Sequence, residues 1–87
     1  MKKFYYVYIL KSKKDHNMYT GFTDNLVTRF KQHSDGLVKS TRERRPIELV
    51  YYEGCLDKHD AMHRELYLKT HHGKQYLYKR LKSYLTG

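Results

Sequence analysis

Five side chains of this 87-residue sequence have the chemistry of a phosphoryl-transfer site: Tyr8, Tyr19, Arg29, His33 and Glu65. A phenol or an imidazole can take a proton from an attacking water, and a guanidinium can offset the charge that gathers on a pentavalent phosphorus. A carboxylate can hold a divalent metal. Arg29 carries a planar fork suited to phosphate oxygens and stays charged at any working pH, while His33 titrates near neutrality. The two stand at i,i+4, so on one helix they point at a common target. A tyrosine, with an ordinary pKa of about 10, needs roughly 4 kcal/mol of help from its surroundings to act as a base near pH 7. Arg29 and a bound cation are the candidates for that help.

These residues must be gathered by elements that the pattern specifies. Residues 4–10 (FYYVYIL) are apolar or aromatic on both alternating faces, which predicts a strand covered on both sides at the centre of a small sheet. Residues 17–22 form a second strand after a charged turn, so an antiparallel hairpin carries Tyr8 on one strand and Tyr19 on the other. Whether their hydroxyls converge depends on register, because a slip of one residue would separate them. Thr23 or Asp24 is expected to cap a first helix bearing Leu26, Val27 and Phe30, with Gly36 as its stop. Residues 37–46 (LVKSTRERRP) lack periodicity and read as an exposed basic loop, followed by a third strand over residues 47–53. Asp57 caps a second helix that Gly73 follows, and leucines at 77, 81 and 85 mark a third helix over residues 75–85. The order β-β-α-β-α-α predicts an α+β domain, a three-stranded antiparallel sheet flanked by helices, spanning residues 1–87 as one unit.

Composition narrows the partner. With 18 Lys+Arg against 9 Asp+Glu the formal net charge is +9, and nucleic acid is the polyanion that best exploits such a field. A membrane is disfavoured, since no apolar run approaches the roughly 20 residues needed to span one and the basic N-terminus leads straight into a tyrosine-rich strand. A cytoplasmic location follows as an expectation, and the single cysteine, Cys55, fits a reducing compartment. Arg42, Arg44 and Arg45, with Lys39 beside them, are the candidate contacts to nucleic-acid phosphates, giving salt-sensitive and largely sequence-independent binding. The alternative for any such run is a solubilising surface.

On the second helix Ala61, Met62, Leu66 and Leu68 define an apolar arc, and Glu65 falls inside it. A carboxylate facing the protein body costs several kcal/mol unless a cation, a metal or hydrogen-bond donors compensate it. Two readings stay open: a metal ligand, or an i,i+4 pair with Lys69. His59 and His63 share that spacing and could hold zinc, but no third ligand is placed to complete the site.

Taken together, Tyr6-Val7-Tyr8, Tyr19-Thr20-Gly21, Arg29 with His33, and Glu65 resemble the GIY-YIG nuclease superfamily over residues 4–72. The stretch Lys39-Ser40-Thr41-Arg42-Glu43-Arg44-Arg45-Pro46, running into Ile47-Glu48-Leu49-Val50-Tyr51, is similar to small single-domain bacterial members whose role is unassigned. The resemblance implies a metal-dependent endonuclease acting on DNA that is branched, damaged or single-stranded, with Tyr8 or Tyr19 as general base. It further implies Arg29 stabilising the phosphorane, His33 assisting proton transfer, and Glu65 as the one protein ligand of Mg²⁺ or Mn²⁺. No organic cofactor is implied. The sequence departs from the family pattern at Tyr6, where glycine is usual, at Thr20, where isoleucine is usual, and at Phe22, where some relatives carry lysine. No asparagine follows Glu65 as it does in several nucleases of this class. A non-catalytic nucleic-acid-binding module of the same fold, or a protein-interaction adaptor using its tyrosines, is the competing expectation.

Overall fold

A computed structural model describes residues 2–87; Met1 lies outside the described residues. Strands β1 (Tyr5–Ser12), β2 (Met18–Thr23) and β3 (Ile47–Cys55) form one antiparallel sheet in the order β2-β1-β3. The doubly apolar strand is therefore central, and β2 and β3 are edges. Helices α1 (Leu26–Ser34) and α2 (Lys39–Arg42) follow β2, and α3 (Lys58–Leu68), α4 (His71–Arg80) and α5 (Lys82–Thr86) follow β3.

Val7 and Ile9 of β1 pack with Ala61 and Leu68 of α3 and Leu77 of α4 in the core. Alternation then sends Tyr8 and Leu10 to the opposite face, where Tyr8 meets His33 of α1. Register decides the tyrosine question: Tyr8 pairs with Gly21 and Leu10 with Tyr19, so Tyr8 and Tyr19 share a face. Gly21 is required there because the Tyr8 ring crosses over it, and a Cβ at that position would lie 2.3 Å from Tyr8 Cζ and Oη.

Several boundaries differ from those predicted. Asn25, not Thr23 or Asp24, caps α1 by accepting from the Thr28 N–H; Thr23 instead bonds the Asn25 backbone, and Asp24 pairs with Lys3 at 2.9 Å. Residues 37–46 are not wholly an exposed loop, because α2 forms within them and buries Thr41. No side chain caps that short helix, which is why its sequence carries no start signal. Gly36 does end α1's turn with a left-handed φ of 79°. Gly73 does not terminate a helix. It lies buried in the first turn of α4, after the Thr70 cap, where a Cβ would sit 2.0 Å from the Tyr67 carbonyl oxygen. The predicted third helix starts earlier, at His71, and is divided at Leu81 into α4 and α5.

The apolar arc of α3 is also corrected. Ala61 and Leu68 are buried, but Met62 and Leu66 are exposed. The sheet presents the Glu53 carboxylate to this helix, so Arg64 turns inward and donates to it twice, at 2.8 and 2.9 Å. Burial opposes the charge on Glu53, yet the hydrogen bonds from Arg64 and Tyr51 and the Arg64 charge outweigh it and hold the carboxyl below its ordinary value. No described helix is long and apolar enough to cross a membrane.

Candidate active site

A cavity of about 450 Å³ opens along β2, and Tyr8, Tyr19, Arg29, His33 and Glu65 all line it. The topology explains how residues from opposite faces of a sheet can meet. Because β2 is an edge strand, the cavity wraps around its unpaired side, with α1 and α2 on one face and α3 and α4 on the other. Met18, Thr20 and Phe22 reach it from one face, and Tyr19 and Gly21 from the other.

Tyr8 is the best-anchored member. Its side chain is 3 % exposed, its oxygen lies 2.9 Å from His33 Nε2 and it accepts from Arg29 Nε at 3.2 Å. His33, also buried, places Nδ1 2.7 Å from the Thr41 hydroxyl. Burial, with the nearby Arg29 charge adding to it, lowers the His33 pKa from its ordinary value and favours the neutral imidazole. One consistent arrangement follows: the phenol donates to Nε2, and Nδ1–H donates to Thr41 Oγ1. Arg29 Nη1 donates to Gln32 at 3.1 Å, which leaves Nη2 turned to no protein acceptor among the described residues.

Tyr19 is held more loosely, its hydroxyl 3.5 Å from the Asp15 carboxylate. Glu65 stands across the cavity with its carboxylate 3.2 Å from Lys69 Nζ, the i,i+4 pair foreseen as its alternative reading. Among the described residues no three His, Cys, Asp or Glu side chains are grouped to hold a metal. Glu65 is the one carboxylate lining this cavity among the described residues, a donor set that fits a hard cation retaining most of its waters provided Lys69 gives way.

The basic cluster is placed differently from the five. Lys39, Arg42, Arg44 and Arg45 are exposed and do not line the cavity, although the neighbouring Ser40 and Thr41 do. Arg44 lies 3.5 Å from Asp15, and Arg45 donates to the backbone oxygens of Arg42 and Ser34. Thr41 is a cavity residue that the sequence reading passed over, and it had no signal, since it lies in an aperiodic segment. Lys74, a candidate phosphate contact from its charge but read as helix-end surface, and Lys69, read as the partner of Glu65, line the cavity as well.

The sequence profile described as the GIY-YIG catalytic domain matches residues 4–79. The chain belongs to the GIY-YIG family. That family membership places it in a nuclease superfamily. Among its relatives, a UPF0213 protein of Clostridium perfringens is 51% identical over 65 residues, covering 74% of this chain and 69% of that protein. A UPF0213 protein of Staphylococcus haemolyticus is 45% identical over 74 residues, covering 84% of this chain and 89% of its own. The fold is similar to the solution NMR structure of the UPF0213 protein BH0048 from Bacillus halodurans, with a TM-score of 0.55 at 37% identity over 87% of this chain and 83% of that one.

Proposed function

We propose that this GIY-YIG domain is an endonuclease that hydrolyses DNA phosphodiester bonds with one divalent cation, Mg²⁺ or Mn²⁺, held by Glu65. The observation that carries the reading is the Tyr8 oxygen, fixed between the Arg29 guanidinium and a neutral imidazole in a cavity that also contains Glu65. A water attacking phosphorus gives its proton to the Tyr8 oxygen while the phenol proton passes to His33 Nε2. His33 is suited to this because burial keeps it unprotonated beforehand. Arg29 screens the developing phenolate through Nε and offers Nη2 to a non-bridging oxygen, where charge grows in the transition state. Thr41 fixes the ring tautomer through Nδ1, so it positions the base without touching substrate. Tyr19, on the same face, orients the attacking water or the phosphate. A cation held at Glu65 would supply Lewis-acid polarisation of the phosphate and charge neutralisation at the leaving oxygen. As water bonds to phosphorus the P–O bond to the leaving oxygen breaks, and Lys69, which lines the same cavity, is the group that would give that oxygen a proton.

The Glu65–Lys69 pair supports one competing reading, a binding module in which the carboxylate is already neutralised. Incubation with plasmid, flap and single-stranded substrates in Mg²⁺ or Mn²⁺ separates the two. The endonuclease reading expects strand cleavage that disappears in EDTA and in Glu65→Gln. Equal cleavage by Glu65→Gln marks a contaminating nuclease, and that outcome, or no cleavage by the native protein on any substrate, favours the binding module.

A further inference from the structure

The cavity with the five residues is the middle of a longer groove. Toward the end of β2 it shares Phe22 and Arg29 with a second cavity of about 500 Å³, whose walls include Tyr5, Gln32 and Lys58. In the other direction it shares Met18, Tyr19, Thr20 and Lys74 with a third of about 300 Å³, which includes His16 and Tyr78. All three follow the unpaired edge of the six-residue strand β2, a length of about 20 Å.

The two ends share a chemistry. At one, Tyr5 and Phe22 are stacked with ring centroids 6.2 Å apart and planes 4° from parallel. Beside them Gln32 has its oxygen taken by Arg29, leaving its amide N–H groups as donors, and Lys58 forms no ion pair among the described residues. The carboxylate on that wall, Asp24, is paired with Lys3. At the other end Tyr78 is 57 % exposed and Lys74 likewise forms no ion pair among the described residues. An aromatic surface with a free cation at each end of a groove is the combination that takes a base and its phosphate. The arginines of residues 37–46 lie outside this line.

Resting on the endonuclease reading, we infer that the substrate strand runs lengthwise along the β2 edge, its scissile phosphate at Arg29, one flanking base seated against Tyr5 and Phe22 with its phosphate on Lys58, and the other against Tyr78 with its phosphate on Lys74. Gln32 reads the edge of the first base and is the specificity-determining residue of the groove. Bases seated in this way are unstacked from their neighbours, so the groove selects strands that are unpaired at the cleavage point.

Binding can be measured apart from cleavage, by fluorescence anisotropy of a short labelled oligodeoxythymidylate and of the matching duplex in EDTA, with circular dichroism to check each variant's fold. Tyr78→Ala is expected to weaken single-strand binding about tenfold. Lys58→Ala and Lys74→Ala should each reduce the slope of log affinity against log salt by about 0.7. Gln32→Ala should alter the preference among oligonucleotides of different base while leaving the salt slope unchanged. If folded groove variants bind as the native protein does while Arg42→Ala weakens binding, or if the native protein binds no single strand, the path is wrong. Cleavage assays on the same proteins keep the two ideas distinct: native cleavage with indifferent groove variants overturns the path alone, and groove-dependent binding without cleavage overturns the endonuclease reading alone.

Discussion

Replacing Tyr8 by phenylalanine removes one oxygen that two side chains depend on, and the structure sets how much that should cost. Arg29 is half-buried and water can replace its lost acceptor. His33 is 4 % exposed, so its Nε2 is left without a partner where water does not reach. An unsatisfied buried polar group of this kind costs about 2 kcal/mol, and for a domain of this size that lowers the melting temperature by about 8–16 °C. Thermal and urea denaturation of Tyr8→Phe, His33→Ala and the double variant form a cycle in which the coupling between the two sites should be about 1 kcal/mol. In the same variant, cleavage should fall by about 10²–10⁴, the contribution of a positioned general base. Strict additivity in the cycle together with full activity in Tyr8→Phe would refute the assignment of this pair as the base and its relay.

Other outcomes follow from the same geometry. Glu65→Gln should change stability by less than about 0.5 kcal/mol, because its partner Lys69 is half-exposed, while abolishing Mg²⁺-dependent cleavage; differential scanning calorimetry and a nicking assay read the two separately. Gly21→Ala introduces a methyl 2.3 Å from the Tyr8 phenol and should destabilise by about 1–3 kcal/mol, with the His33 ring resonances shifting in NMR spectra as the phenol is displaced. His33 has its folded pKa below the ordinary 6.5, so the folded state binds fewer protons than the unfolded one below that value; its contribution is complete above pH 6.5 and is lost as pH falls through the folded value. Cleavage should decline as the His33 ring takes up its proton, followed in parallel by NMR titration of the ring resonances, and a rate that stays flat through that titration contradicts a neutral-imidazole relay. Glu53, likewise depressed below 4.5, contributes above that pH and loses its contribution as acid protonates it; Arg64→Met should cost about 1–2 kcal/mol at pH 7 and flatten the acid limb of the stability curve.

The strands and the two longer early helices were legible because each carries a period that matches its geometry. The doubly apolar run at residues 4–10 could only be a covered central strand, and Asp57 caps its helix where local chemistry placed it. Arg29 and His33 were readable as a pair from spacing alone. That Tyr8 and Tyr19 share a face was not readable, because pairing Tyr8 with Gly21 depends on the whole hairpin. Thr41 escaped notice because its four-residue helix has no cap and no periodicity, and its role arises only when α2 meets α1. The inward turn of Arg64 was missed for a related reason: the carboxylate that draws it inward belongs to β3, and an arc drawn from one helix cannot see it.

Gly73 sits behind the groove rather than in it, yet the absence of one methyl there sets how closely α4 lies against the end of α3, and the next residue along α4 is Lys74. The gap between the lysine and β2 is thus governed by the contact between two helix ends. A larger residue at this contact would push the fourth helix outward and widen the passage, changing which strands fit while every reacting group kept its place.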